Sequence, residues 1–213
     1  MNHLVHGGLA ALELADRPNQ RALAKQRTRE KIVAAAKLLF AERGYEGATI
    51  RDIAKAAGMS TGAVFASFTD KADLFTDIAE TEQAELFAVM RIAAEGQSGR
   101  AAILAMLDAA AGRQLESLAL CQAIMSALWT PGLNDKVRRR LERRNASALV
   151  LAVVQSDLEP ETGGYCALLV ADMIWDAYLA TLRRAALDGL TLDQVKTRVH
   201  DQTKTILSGM RRA

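Results

Sequence analysis

Three prolines, two cysteines and three histidines in 213 residues exclude several kinds of protein at the outset. Pro18, Pro131 and Pro160 stand far apart and β-branched residues rarely alternate with polar ones, so helix is seldom interrupted and no segment reads as a strand. Cys121 and Cys166 form no C-x-x-C and have no ligand-type neighbours. They read as reduced, packed thiols of a cytosolic protein, not as a disulfide or zinc framework. His3 and His6 have an H-x-x-H spacing, but the third histidine, His200, lies near the opposite end, so neither a metal nor any other cofactor is expected. The chain has no nucleotide-binding glycine loop, no G-x-S-x-G and no H-E-x-x-H, and so few histidines supply general-base chemistry poorly. Its longest apolar runs fall well short of the ~20 residues that cross a bilayer. The first residues lack the basic start and sustained apolar stretch of a secretory signal. The cytoplasm is therefore the expected location, with no membrane partner.

What the chain does have is an ordinary globular composition, 50% apolar and 24% charged, with enough length for a sizeable core in one domain or two. The formal net charge of +2 conceals an asymmetry: residues 17–75 hold 11 Lys or Arg against 6 Asp or Glu, and residues from 76 onward hold 16 against 17. A basic first third on a neutral remainder is what a nucleic-acid contact confined to one domain looks like, although many solvated surfaces are as basic.

Apolar residues recur at spacings of three and four almost throughout, which predicts an all-α protein of about nine helices. The expected organisation is a flexible leader over 1–20, a three-helix unit over 21–75 and a helical bundle over 76–213. A first helix from Lys25 gathers Ile32, Ala36, Leu39 and Phe40 on one face and stops at Gly44. Three short helices fit between the breaks that follow. Beyond Thr76, breaks are expected at 95–99, near Gly112, at 130–134, at 157–164 and around Gly189, and Thr191 with Gln194 forms a capping box for the last helix.

The stretch from Thr49 to Phe68 meets each requirement of a helix-turn-helix, in which a positioning helix and a tight turn aim a second helix at the major groove. Thr49 can cap a helix over 50–57 whose inner residues are Ile50, Ile53, Ala54 and Ala57. Gly58 supplies the left-handed conformation that ends it, and Met59 plugs the corner. Ser60 or Thr61 caps the next helix, with Val64, Phe65 and Phe68 read first as core. That leaves Thr61, Gly62, Ala63, Ala66 and Ser67 available to DNA. Arg27, Arg29 and Lys31 either steer onto DNA or form the exposed side of the first helix.

The run TIRDIAKAAGMSTGAVFASFTDKADLF resembles the DNA-binding signature of the TetR family of transcriptional regulators. The likeness extends over about 27–78, through Phe40, Gly44 and Tyr45 upstream and Phe65, Phe68 and Lys71 downstream. The resemblance implies a helix-turn-helix DNA-binding domain joined to a helical domain for dimerisation and ligand binding. It also implies that Thr49, Thr61, Phe65 and Lys71 lie at or near the DNA backbone, Lys71 toward a phosphate. Phe65 departs from the family's frequent Tyr and so lacks a hydroxyl donor. Ala66 and Ser67 stand where an aromatic residue and His are commoner, which points to readout by small residues or by DNA shape. With Ser60, Gly62 and Ala63 these complete the expected contact set.

A repressor of this kind binds a palindromic operator in double-stranded DNA as a homodimer and leaves it when a small-molecule effector binds. Leu192, Val195, Val199 and Ile206 follow a spacing that suits a seam between partners, in helices expected at 162–187 and 191–210. Met90, Met106, Met125, Trp129, Trp175 and Tyr178 suit an apolar or aromatic effector, with plain core packing as the competing account. The basic run 136–144 reads as the solvated side of a helix, a second nucleic-acid or acidic-membrane contact being its alternative. Two other readings compete for the whole chain. A helical protein-interaction adaptor without DNA readout would leave the N-terminal motif without a purpose, and a helical enzyme lacks a motif for chemistry.

Overall fold

The computed structural model describes residues 20–129, 147–158 and 166–209. Among them every regular element is helical: α1 Gln20–Gly47, α2 Ile50–Ala56, α3 Thr61–Phe65, α4 Lys71–Ala94, α5 Gly99–Glu116, α6 Leu118–Trp129, α7 Ser147–Val153, α8 Ala167–Asp188 and α9 Leu192–Gly209. A single π-helical stretch, Val154–Leu158, continues α7. The expectation of an all-α protein of about nine helices holds. Residues 1–19 of the expected leader and the basic run 136–144 lie outside the described residues.

Local chemistry explains most of the boundaries. In α1 the buried residues Ile32, Ala35, Ala36, Leu39 and Phe40 share one face. The helix breaks at Gly44, whose φ of 70° and ψ of 175° turn the chain before one last turn to Gly47. Asp70 and Asp73 start α4 reciprocally: Asp73 N–H donates to Asp70 Oδ1 at 2.8 Å and Thr69 N–H to Asp73 Oδ2 at 2.9 Å. The predicted box before α9 is also present, Thr191 N–H donating to Gln194 Oε1 at 2.9 Å and Gln194 N–H to Thr191 Oγ1 at 3.4 Å. The break expected near Gly112 is absent. Helix α5 runs through it to Glu116, and Ser117 makes the stop instead.

Two apolar cores result. The first joins Ile32, Ala36 and Phe40 of α1, Ile53 of α2, Val64 of α3 and Leu74, Phe75 and Ile78 of α4 to Leu120 and Ile124 of α6. Phe40 and Phe75 meet edge to face at 5.3 Å with no exposure, burial worth roughly 2–3 kcal/mol for each ring. The second core is built from Met90 of α4, Ile103, Met106 and Leu107 of α5, Val150 of α7, Val170, Ile174 and Tyr178 of α8, and Val195 and Val199 of α9. Helix α4 enters both cores without interruption, so the boundary expected between 75 and 76 falls inside one helix.

Charged groups pin the two layers together where α4 crosses. Glu82 of α4 accepts from Lys37 of α1 at 2.6 Å and from Arg113 of α5 at 2.7 Å. Arg113 also reaches Glu85 at 2.5 Å. The hydrogen bond to Glu85 raises the Arg113 guanidinium above its ordinary range, burial acting in the opposite direction and Glu82 adding to the rise.

Candidate nucleic-acid interface

Helix α2 begins where Thr49 Oγ1 accepts from Asp52 N–H at 3.2 Å, and the Thr49 hydroxyl in turn donates to Asp52 Oδ2 at 2.8 Å. Ile53 and Ala54 turn inward. The chain then reverses at Gly58, where φ is +67°. Only a residue without Cβ adopts that conformation freely, as the sequence implied. Ser60 settles the choice of cap for α3, its Oγ accepting from Ala63 N–H at 3.2 Å. Val64 is fully buried and Phe68, just past the helix end, is 3% exposed, so α3 is bolted to the first core by two side chains.

Phe65 departs from the core reading and keeps the outward position that the family resemblance implies. It is 55% exposed, because a position next to the inward Val64 lies about 100° around the helix from it. The outward face of α3 therefore consists of Thr61, Gly62, Phe65 and Ala66, with Ala63 and Ser67 half-buried at its edges. Ser67 Oγ lies 3.5 Å from the Ala63 carbonyl, to which it donates. Ser60 and Thr49 are exposed as well as capping.

Lys71 is placed differently from an outstretched phosphate ligand. Its Nζ donates to the Tyr45 carbonyl at 2.8 Å and to the Ala48 carbonyl at 3.2 Å, and it lies 4.2 Å from the centre of the Tyr45 ring. It closes the end of α1 against the start of α4. Burial, with Glu46 and Asp70 nearby, raises the Tyr45 phenol above its usual range.

Of Arg27, Arg29 and Lys31, which the sequence left undecided, Arg29 takes a specific structural place. Its Nη1 donates to the Ser67 carbonyl at 3.1 Å, its guanidinium carbon stacks 4.1 Å from the Phe68 ring centre, and its Nη2 pairs with Asp77 of α4. It ties α1, the end of α3 and α4 together. Arg27 and Lys31 are exposed, as are Arg51 and Lys55, which stand one turn apart on α2 and were not singled out from the sequence.

The other predicted sites fare unevenly. Met90, Met106, Trp175 and Tyr178 all belong to the second core. Trp175 and Tyr178 stack at 4.9 Å, and Tyr178 O–H donates to Gln114 Oε1 at 2.5 Å. Met125 does not join them: it packs against the first core, because that face of α6 lies on α1. The Trp129 side chain is outside the described residues. Val195 and Val199 are 0% and 2% exposed within their own chain, so neither can serve a seam between partners; Ile206 packs partly against the same core and Leu192 alone is exposed. The open groove of about 490 Å³ along α9 is lined by Asp193, Gln194, Thr197, Arg198, Asp201 and Gln202, none of them a predicted pocket residue. No described helix is long and apolar enough to cross a membrane.

A capped positioning helix, a glycine turn and a short second helix anchored inward with a clear outer face define a helix-turn-helix module of the DNA-binding type. The sequence profile described as "Bacterial regulatory proteins, tetR family" matches residues 32–78, and the chain carries that family's N-terminal segment. Over 63 residues it is 43% identical to the HTH-type transcriptional repressor AcnR of Corynebacterium glutamicum, a stretch covering 30% of this chain and 34% of that protein. The matches span about a third of the length of the first curated relatives. The likeness of fold extends much further. A TetR family transcriptional regulator, PfmR from Thermus thermophilus, superimposes with a TM-score of 0.66 at 20% identity over 85% of this chain and 99% of that one. The transcriptional regulator FadR from Bacillus subtilis, solved in complex with stearoyl-CoA, does so with a TM-score of 0.72 at 16% identity over 84% and 98%.

Proposed function

We propose that the protein is a sequence-specific DNA-binding transcriptional regulator, a repressor that leaves its operator when a small apolar effector binds. The observation that carries this reading is the outward face of α3, offered to solvent by a helix fixed from behind by Val64, Phe68 and Arg29. A helix so short is held by tertiary contacts alone, which suits a rigid reading head. Phosphate contacts come from the Ser60 and Thr61 hydroxyls and the exposed cations Arg51 and Lys55, while the Thr49 hydroxyl, already donating to Asp52, lies beside them as a cap. Lys71, held by the Tyr45 and Ala48 carbonyls with Glu46 at 4.0 Å, adds positive charge beside the DNA backbone and does not reach out to it as a free ligand.

The regulator acts as a homodimer in the cytoplasm, since one short helix spans too few base pairs for useful specificity. The seam moves from the predicted residues to α8, where Leu169, Met173 and Leu187 are exposed with Ala180 between them, at spacings of 4, 7 and 7 residues. Such a stripe on an outer helix is half of a helix-helix contact. The effector enters the second core among Met90, Met106, Trp175 and Tyr178. The acyl-CoA bound by FadR supports an elongated apolar ligand for that position.

Selection of duplexes from random DNA by the purified full chain tests the reading. It predicts enrichment of a palindrome with half-sites one helical turn apart or somewhat more. Recovery of no sequence above background would sink it and favour a protein-interaction adaptor.

A further inference from the structure

The outward face of α3 is chemically unusual for a reading surface. Between Ser60 and Ser67 there is no Arg, Lys, Asn, Gln, Asp or Glu, so the paired hydrogen bonds that identify guanine or adenine cannot come from this helix. The Ser67 hydroxyl donates back to the Ala63 carbonyl, which leaves the Thr61 hydroxyl and, at the helix start, the O–H of the capping Ser60, each a single donor without the paired geometry that singles out a base. What the face offers is apolar: the Phe65 ring, the Ala66 methyl and, at Gly62, bare backbone.

Gly62 makes the second observation. Its φ is not positive, and a Cβ built there would meet only Ser60 Oγ, at an ordinary 3.7 Å. Nothing inside the protein requires glycine at this helical position, where glycine costs stability relative to alanine. The outer face of α3 thus presents bare backbone at a position where the fold itself would accept a side chain.

We infer that α3 reads its half-site through thymine C5-methyl groups, with Phe65 packed on a methyl and Gly62 giving the groove edge access to the helix backbone. The thymine methyl is the one apolar feature of the major groove and so the one that this face matches. Charge complementarity fixes the occupant as duplex DNA: α2, packed against α3, exposes Arg51 and Lys55 on a segment with a cationic surplus. The inference deepens the proposed function and rests on it.

The test uses the full chain and the palindrome it selects, synthesised with each thymine of the half-site replaced singly by deoxyuridine, which removes a methyl and keeps every hydrogen bond. At one or two positions the affinity falls about fourfold, the effect of one buried methyl. Phe65→Ala weakens binding to the thymine site and abolishes the difference between thymine and deoxyuridine. Gly62→Ala melts no lower than the parent, yet binds the operator at least tenfold more weakly. Equal affinity for thymine and deoxyuridine at all positions overturns the inference, as does Phe65→Ala with the discrimination intact or Gly62→Ala with full affinity. All three leave sequence-specific binding standing. Failure to bind any palindrome removes the proposed function, and the inference with it.

Discussion

At the scale of single residues, the centre of the second core is governed by a polar chain. Tyr178 O–H donates to Gln114 Oε1, and Gln114 Nε2 donates to Cys121 Sγ at 3.3 Å. Tyr178→Phe leaves the Gln114 oxygen without its buried donor, a loss of about 1–3 kcal/mol that should lower the melting temperature by roughly 3–10 °C. Burial pushes the Cys121 thiol up to about 11 and the Tyr178 phenol well above its usual range. Both groups hold their protons more tightly folded than unfolded, so stability is full at neutral pH and falls as pH rises from about 9 through 11. Thermal melts across that range check the sign. At pH 8 a thiol reagent should label the exposed Cys166 rapidly and Cys121 only as the fold opens. Residue by residue, the sequence was readable where neighbours in the chain decide the outcome, as for the Thr49 and Ser60 caps. Phe65 escaped because a helix of five residues carries too few apolar positions to fix its phase. Arg29 escaped because its partners Ser67 and Asp77 lie 38 and 48 residues away.

At the scale of elements, the turn between α2 and α3 carries the geometry of the reading head. A Cβ at Gly58 meets no atom within 4 Å, so Gly58→Ala costs only the left-handed backbone, about 1–2 kcal/mol. The chain should relieve that strain by shifting α3, so operator affinity should fall more than the melting temperature. Unchanged affinity would show that the turn does not aim the helix. Both glycine stops, Gly44 and Gly58, were legible because positive φ has few other solutions. The false break at Gly112 shows the converse: inside a helix, a glycine among apolar neighbours is tolerated, and α5 continues to Glu116. Periodicity also identified α9 correctly yet misassigned its apolar face. A stripe such as Val195 and Val199 says that a face is buried, and is silent on whether its partner is the same chain or another copy.

At the scale of the whole molecule, α4 links reading head to core, entering the first with Phe75 and the second with Met90. Arg29–Asp77 and Lys37–Glu82–Arg113 hold it at successive levels, and Arg29 carries the connection on to the end of α3 through the Ser67 carbonyl. Which helices share a core was not legible, since α6 joins the first core from more than forty residues beyond it in sequence. Leu169→Glu with Met173→Glu should convert a dimer to a folded monomer by sedimentation and remove operator binding. A dimer that persists would place the seam elsewhere. If α3 reads sequence, the dissociation constant of the full chain for its selected palindrome, measured against a scrambled duplex of equal length and charge at 0.15 M salt, shows it most directly. A ratio of about 10³ or more is expected, with two protomers per palindrome. Equal constants, rising together with added salt, would reduce the interface to a basic surface with no reading of sequence by α3.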